Sequence, residues 1–120
     1  MTTKREIMKD TRDYCTLYQI KAGSPVRRDA MFYKENGKIF NKEMAVKAMT
    51  DGHYDYKGMM LVEDLDDAFA MSNNGQGPKN AYSMSVGDIL FFKQQFYIVA
   101  RVGFDLLINN SEYLETLETA

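Results

Sequence analysis

Few side chains in this chain are placed to do chemistry. Ser83, Ser85 and Asp88 gather just before an apolar run that starts near Ile89. Two hydroxyls and a carboxylate would make the polar rim of a binding site. They are also ordinary turn chemistry, because Ser and Asp side chains bond nearby backbone N–H groups and Gly87 permits positive φ. Glu63, Asp64, Asp66 and Asp67 cluster as ligands of a hard cation do, but the alternating spacing of a Ca²⁺ loop is missing. At a helix start, Asp64 caps and the following carboxylates face the positive end of the helix dipole, so no metal site is expected. His53 is the only histidine and Cys15 the only cysteine, and a dyad of the two is the one nucleophile–base pair on offer. Cys15 sits mid-run in a β-rich segment, where a small buried thiol is the commoner role. No catalytic residue is assigned and no cofactor is expected. Gly75-Gln76-Gly77-Pro78 lacks the Gly-Lys-Ser/Thr ending that cradles phosphates, and reads as a loop.

Cations offer a different chemistry. Arg27 and Arg28 follow Pro25, with Lys21 close by, and such a cluster can grip a phosphate or a partner carboxylate. Lys34 and Lys38 lie near Phe32 and Tyr33, giving the aromatic-beside-basic pairing that stacks and neutralises nucleic acid. The plainer reading of the arginines is a solvated turn. Met59 and Met60, beside Tyr54 and Tyr56, suit an adaptable apolar surface. Strand alternation would put both tyrosines on one face, away from Met59, and bury that tyrosine face.

The elements that must position these groups follow from pattern. Residues 1–12 read as a tail or short helix. Tyr14–Lys21 is aromatic and β-rich and stops at Ala22-Gly23-Ser24-Pro25, making a first strand. Ser24 and Pro25 can open a helical turn through Asp29. Asn36-Gly37, between Phe32-Tyr33 and Ile39-Phe40, predicts a β-hairpin over Met31–Phe40. Asn41 caps a helix over Lys42–Met49, with Ala45, Ala48 and Met49 inward and Gly52 as its stop. Tyr54–Glu63 reads as a strand and Leu65–Ser72 as a helix with Leu65, Ala68 and Phe69 inward. Asp88–Lys93 and Phe96–Val102 form an antiparallel pair joined at Gln94-Gln95. Asn109, with Glu112 three residues on, opens a C-terminal helix or tail over 109–120. The class is α+β, a small mainly antiparallel sheet with two or three helices.

At 120 residues, with 45% hydrophobic and 27% charged side chains, the chain is expected to be one globular domain. One cysteine excludes an intrachain disulfide and suits a reducing compartment. No apolar run is long enough to span a membrane, and the charged first residues do not form a signal peptide, so a cytoplasmic location is expected. The net charge of -2 disfavours both a DNA mimic and a strongly basic binder. It is unevenly spread: residues 1–60 hold 12 basic and 8 acidic side chains, and residues 61–120 hold 3 and 9.

The segment Tyr82-Ser-Met-Ser-Val-Gly-Asp-Ile89, then Phe96-Tyr-Ile-Val and Val102-Gly-Phe104, resembles the signature of the YodL-like domains, short modules of phages, plasmids and conjugative elements. Leu17-Tyr18-Gln19-Ile20 is similar to that family's opening strand, and Leu65-Asp-Asp-Ala-Phe69 to its Leu-Glu-x-x-Phe helix. The likeness touches most of 14–104; Lys42–Asp51 and Asn73–Lys79 match nothing in it. It implies an accessory protein of a mobile element, with no catalytic residues to carry over. Val86–Phe91 and Val99–Val102 also resemble strands of PUA-like and ASCH-like barrels, which bind RNA or modified bases.

The leading expectation is a non-enzymatic phage or mobile-element protein that binds and modulates a host protein, with counter-defence as a setting. The alternative is a small RNA- or DNA-binding β-domain. Arg27, Arg28, Phe32, Lys34, Lys38, Ser83 and Ser85 are the candidate binding residues. A homodimer through an edge strand, or through Tyr113, Leu114 and Leu117, is a further possibility.

Overall fold

The computed structural model describes residues 11–119; the tail or short helix expected over residues 1–12 lies, apart from its last two residues, outside them, as does the end of the C-terminal stretch. The described residues form five strands, β1 (Asp13–Ile20), β2 (Tyr54–Val62), β3 (Ile89–Phe92), β4 (Gln95–Val99) and β5 (Phe104–Asn109). They also form four helical segments, α1 (Arg27–Ala30), α2 (Lys42–Thr50), α3 (Leu65–Asn73) and α4 (Asn110–Thr119). The sheet order is β2-β1-β3-β4-β5 and every neighbouring pair is antiparallel. This is the expected α+β class. Among the described residues no helix is long and apolar enough to cross a membrane.

The sheet is covered on both faces. Cys15 and Leu17 of β1, Met60 and Val62 of β2, and Leu90 and Phe92 of β3 pack with Ala68 of α3 and Met84. The other face sends Ile20, Ile89, Phe96 and Ile98 against Ala30, Tyr33, Phe40, Ala45 and Ala48. Alternation along each strand assigns successive residues to opposite sides. The two helix caps form as expected: Asn41 Oδ1 accepts from Met44 N–H at 3.1 Å and Asp64 Oδ1 from Asp67 N–H at 2.8 Å. Asp67 in turn accepts from Glu63 N–H at 3.0 Å, so two carboxylates of the acidic cluster, Asp64 and Asp67, serve the helix start. Asn109 caps α4 through Glu112 N–H at 2.8 Å, while the Glu112 carboxylate accepts from the Asn109 side-chain amide rather than from its backbone.

Four local expectations need correction. No hairpin forms over 31–40. Gly37 is not in the left-handed region a two-residue Asn-Gly turn requires; a Cβ there would lie 2.9 Å from Phe40 O, so the glycine serves close packing. The segment is instead an irregular strap pinned by buried Tyr33 and Phe40, with Asn41 Nδ2 donating to Gly37 O at 2.9 Å. The helical turn starts two residues past Pro25, because Ser24 Oγ accepts from Val26 N–H and Ser24 O from Arg27 N–H. The β3–β4 turn is Lys93-Gln94, one residue earlier than expected, and β4 ends at Val99. The chain then reverses through Gly103 (φ +71) into β5, a strand the sequence pattern did not reveal.

The fourth correction concerns the tyrosine face. Leu17 pairs with Gly58, but Tyr18 pairs with Tyr56, so Lys57 is an extra residue in β2. A β-bulge of this kind reverses the alternation beyond it. Tyr56 and Met59 therefore share a face, and Tyr56 is exposed rather than buried.

Lys93 and Gln94 both have positive φ, 49° and 66°. That matches the twist of a type I′ hairpin but costs non-glycine residues about 1 kcal/mol each. Gln94→Gly should raise unfolding stability by roughly 0.5–1 kcal/mol in urea denaturation; a loss of stability would show that the bond Asn110 Nδ2 donates to Gln94 Oε1 at 3.3 Å outweighs the backbone strain.

Candidate functional site

The interior strand β1 organises the polar site. Gln19 of β1 is only 3% exposed. Its Oε1 accepts from Tyr82 N–H at 2.9 Å, and its Nε2 donates to Tyr82 O at 3.0 Å and to Asp88 Oδ2 at 2.9 Å. Ser85 N–H also donates to Asp88 Oδ2, at 3.0 Å. The connection between α3 and β3 is thus held to the sheet by one amide side chain and one carboxylate. Met84 N–H donates to Asn73 Oδ1 at 2.9 Å and Tyr54 Oη to Gly87 O at 2.7 Å, fixing the rest of the segment. Gly87 has φ +94°, and a Cβ there would lie 2.4 Å from Ala30 O.

Around this clamp lie three concavities with shared walls. The first is lined by Gln19, Arg27, Tyr82, Ser83, Ser85 and Asp88, among others. The second, beyond Tyr82 and Ser83, has Ser72, Gly75, Gly77 and Lys79 in its wall. Ser72 Oγ there is buried without a hydrogen-bond partner. The third joins the first at Met31 and Val86 and is a groove of about 600 Å³, lined also by Phe32, Lys34, Lys38, Ile39 and Arg101.

The candidate residues of the sequence therefore divide. Arg27, Ser83 and Ser85 meet in the first concavity, and Phe32, Lys34 and Lys38 in the third. Arg28 is exposed on α1 but stands outside these walls. Tyr33 turns inward, donating its hydroxyl to Asp105 at 2.8 Å; burial and this bond push its phenol well above the usual range. Gln19, Tyr82 and Arg101 were not singled out from sequence. The tyrosine ring is more than half exposed, with the Arg27 guanidinium 5.7 Å and the Lys57 ammonium 5.6 Å from its centroid.

Cys15 and His53 are not brought together. Lys21 N–H bonds His53 O at 2.9 Å, and Cys15 lies six residues up the same strand, a span of about 20 Å. Cys15 is fully buried and its thiol is pushed up to about 12 by desolvation, the opposite of nucleophile activation. His53 Nδ1 instead lies 3.0 Å from Ser24 Oγ, in the turn before α1.

A second surface is apolar. Tyr14, Tyr56 and Met59 are each more than half exposed on one face of the β1–β2 ribbon. The Tyr18 ring meets Tyr56 edge-on at 6.1 Å. Leu114 and Leu117 of α4 are also exposed.

No family model, curated protein or solved structure matches this chain.

Burial raises the Asp88 carboxyl from 3.8 to about 6, against the opposing pull of the Gln19 and Ser85 bonds and of Arg27 and Lys57. The folded state thus holds a proton that the unfolded chain releases at lower pH. The resulting stability is full below about 3.8 and is lost as pH rises through about 6. Both donors reach a single carboxylate oxygen, so an asparagine amide oxygen can receive them. Asp88→Asn should be at least as stable as the parent at pH 7, with the gap closing towards pH 4 in thermal melts; a gap independent of pH would refute the shift. Gly87→Ala should cost about 3 kcal/mol or more in chemical denaturation, because it combines a positive φ with a backbone clash.

Proposed function

We propose that this protein is a non-enzymatic accessory module of a phage or other mobile element, acting in the host cytoplasm by binding and modulating a host protein. The supporting observation is the exposed Tyr14–Tyr56–Met59 face. Tyrosine and methionine are enriched in the cores of protein interfaces, and tyrosine is a frequent energetic anchor. Here the bulge at Lys57 puts Tyr56 on the same face of the sheet as Met59 and Tyr14, so little ordering cost opposes binding. The likeness to YodL-like domains supports the mobile-element setting, with counter-defence as one role. The buried thiol and the separated Cys15 and His53 accord with a role in binding rather than turnover.

A photoreactive benzoylphenylalanine at position 56, in the full chain expressed in bacterial cells, tests this. One reproducible adduct with a host protein is expected, abolished by Tyr14→Arg with Met59→Arg. An adduct only with a second copy of the chain, an adduct indifferent to those substitutions, or none at all would overturn the proposal.

A further inference from the structure

The walls of the three adjoining concavities carry an uneven charge. Arg27, Lys34, Lys38, Lys79 and Arg101 line them, against a single carboxylate, Asp88, which is 7% exposed and engaged with Gln19 and Ser85. In a chain whose net charge is -2, this concentrates positive potential along one path. Two aromatic rings also stand in that path. Phe32 belongs to the groove and Tyr82 to the wall shared by the other two concavities, and both are more than half exposed. The strap that carries Phe32 is held by buried Tyr33 and Phe40, and Tyr82 is held by Gln19 through both its backbone groups. Both rings are thus mounted on fixed backbone.

We infer that this path is a binding track for single-stranded nucleic acid, with Phe32 and Tyr82 as stacking platforms for bases and the cations between and around them meeting phosphates. An electropositive groove with rings at intervals is what non-sequence-specific single-strand binders use, since every base has a π-face. An acidic polypeptide would satisfy the cations, but it would leave the two separated rings without a role. A duplex would keep its bases stacked inside and away from them. At 5.6–5.7 Å the cations stand off the Tyr82 ring, and an arginine guanidinium is itself a surface on which a base stacks. The track does not include Tyr14, Tyr56 or Met59, so it goes beyond the protein-binding role and stands independently of it.

The test is fluorescence anisotropy of labelled dT and U oligomers of about 20 nucleotides with the full chain, beside a duplex of equal length. Single strands should bind more tightly than the duplex. With five phosphate contacts, affinity should fall roughly a hundredfold between 50 and 200 mM salt. Phe32→Ala and Tyr82→Ala should each weaken binding about tenfold or more, whereas Tyr82→Phe should retain it. Lys34→Ser, Lys38→Ser and Arg101→Ser together should reduce the log–log salt slope by about 2. All these side chains are exposed, and matching circular dichroism melts will confirm that the variants fold. Absence of binding at low salt with about 100 µM protein, equal affinity for duplex, or indifference to the ring substitutions would overturn the inference. Displacement by poly-glutamate at equal charge concentration would also overturn it, pointing to an acidic polypeptide partner.

Discussion

The geometry of the polar site depends on one buried amide. Gln19 sits in the interior strand β1 and binds Tyr82 through both of its backbone groups, as a neighbouring peptide unit would in a sheet. It then uses its remaining donor on Asp88. Each bond contributes about 1 kcal/mol net, but removing the amide would leave buried groups unpaired at about 1–3 kcal/mol each. The long connection between α3 and β3 has no strand of its own, so this side chain stands in for the missing ladder. The first concavity and the placement of Tyr82 follow from it, while its bond to Asp88 opposes the upward push of burial on that carboxyl.

Two stretches far apart in the chain meet at this point. Gln19 belongs to the first strand, and Ser83, Ser85 and Asp88 to the connection that leads into β3. They lie more than sixty residues apart in sequence yet line a single concavity. Turn chemistry and site chemistry are not competing descriptions here. Ser85 and Asp88 close the turn through the Ser85 N–H bond, while their side chains remain in the cavity wall.

Much of this was legible in the sequence because it depends on neighbours in the chain. The first strand, the caps at Asn41 and Asp64 and the β3–β4 pair obey short-range rules that tertiary structure did not override. What escaped was set by contacts far away. Asn36-Gly37 carries a local hairpin signal, but burial of Tyr33 and Phe40 against the sheet draws the segment into a strap. Phe104–Asn109 does not alternate cleanly because its pairing shifts between Leu106 and Ile108. The extra residue at Lys57 has no composition signal, yet it decides which side Tyr56 faces. Arg27, Phe32, Lys34 and Lys38 were legible as chemistry. That Arg27 lies in one hollow and the other three in the next, joined at Met31 and Val86, is set by contacts far along the chain.

The bulge in β2 also bears on how the molecule avoids unwanted company. β2 is an outermost strand among those described, and a straight outermost strand offers its unpaired amides to any extended chain. The irregularity at Lys57, beside the positive φ of Gly58 and the contact a side chain at Gly58 would make with Pro78, interrupts that regular row midway. Fibrillar stacking along this rim is thereby frustrated, because the margin of the ribbon is a poor template for strand addition.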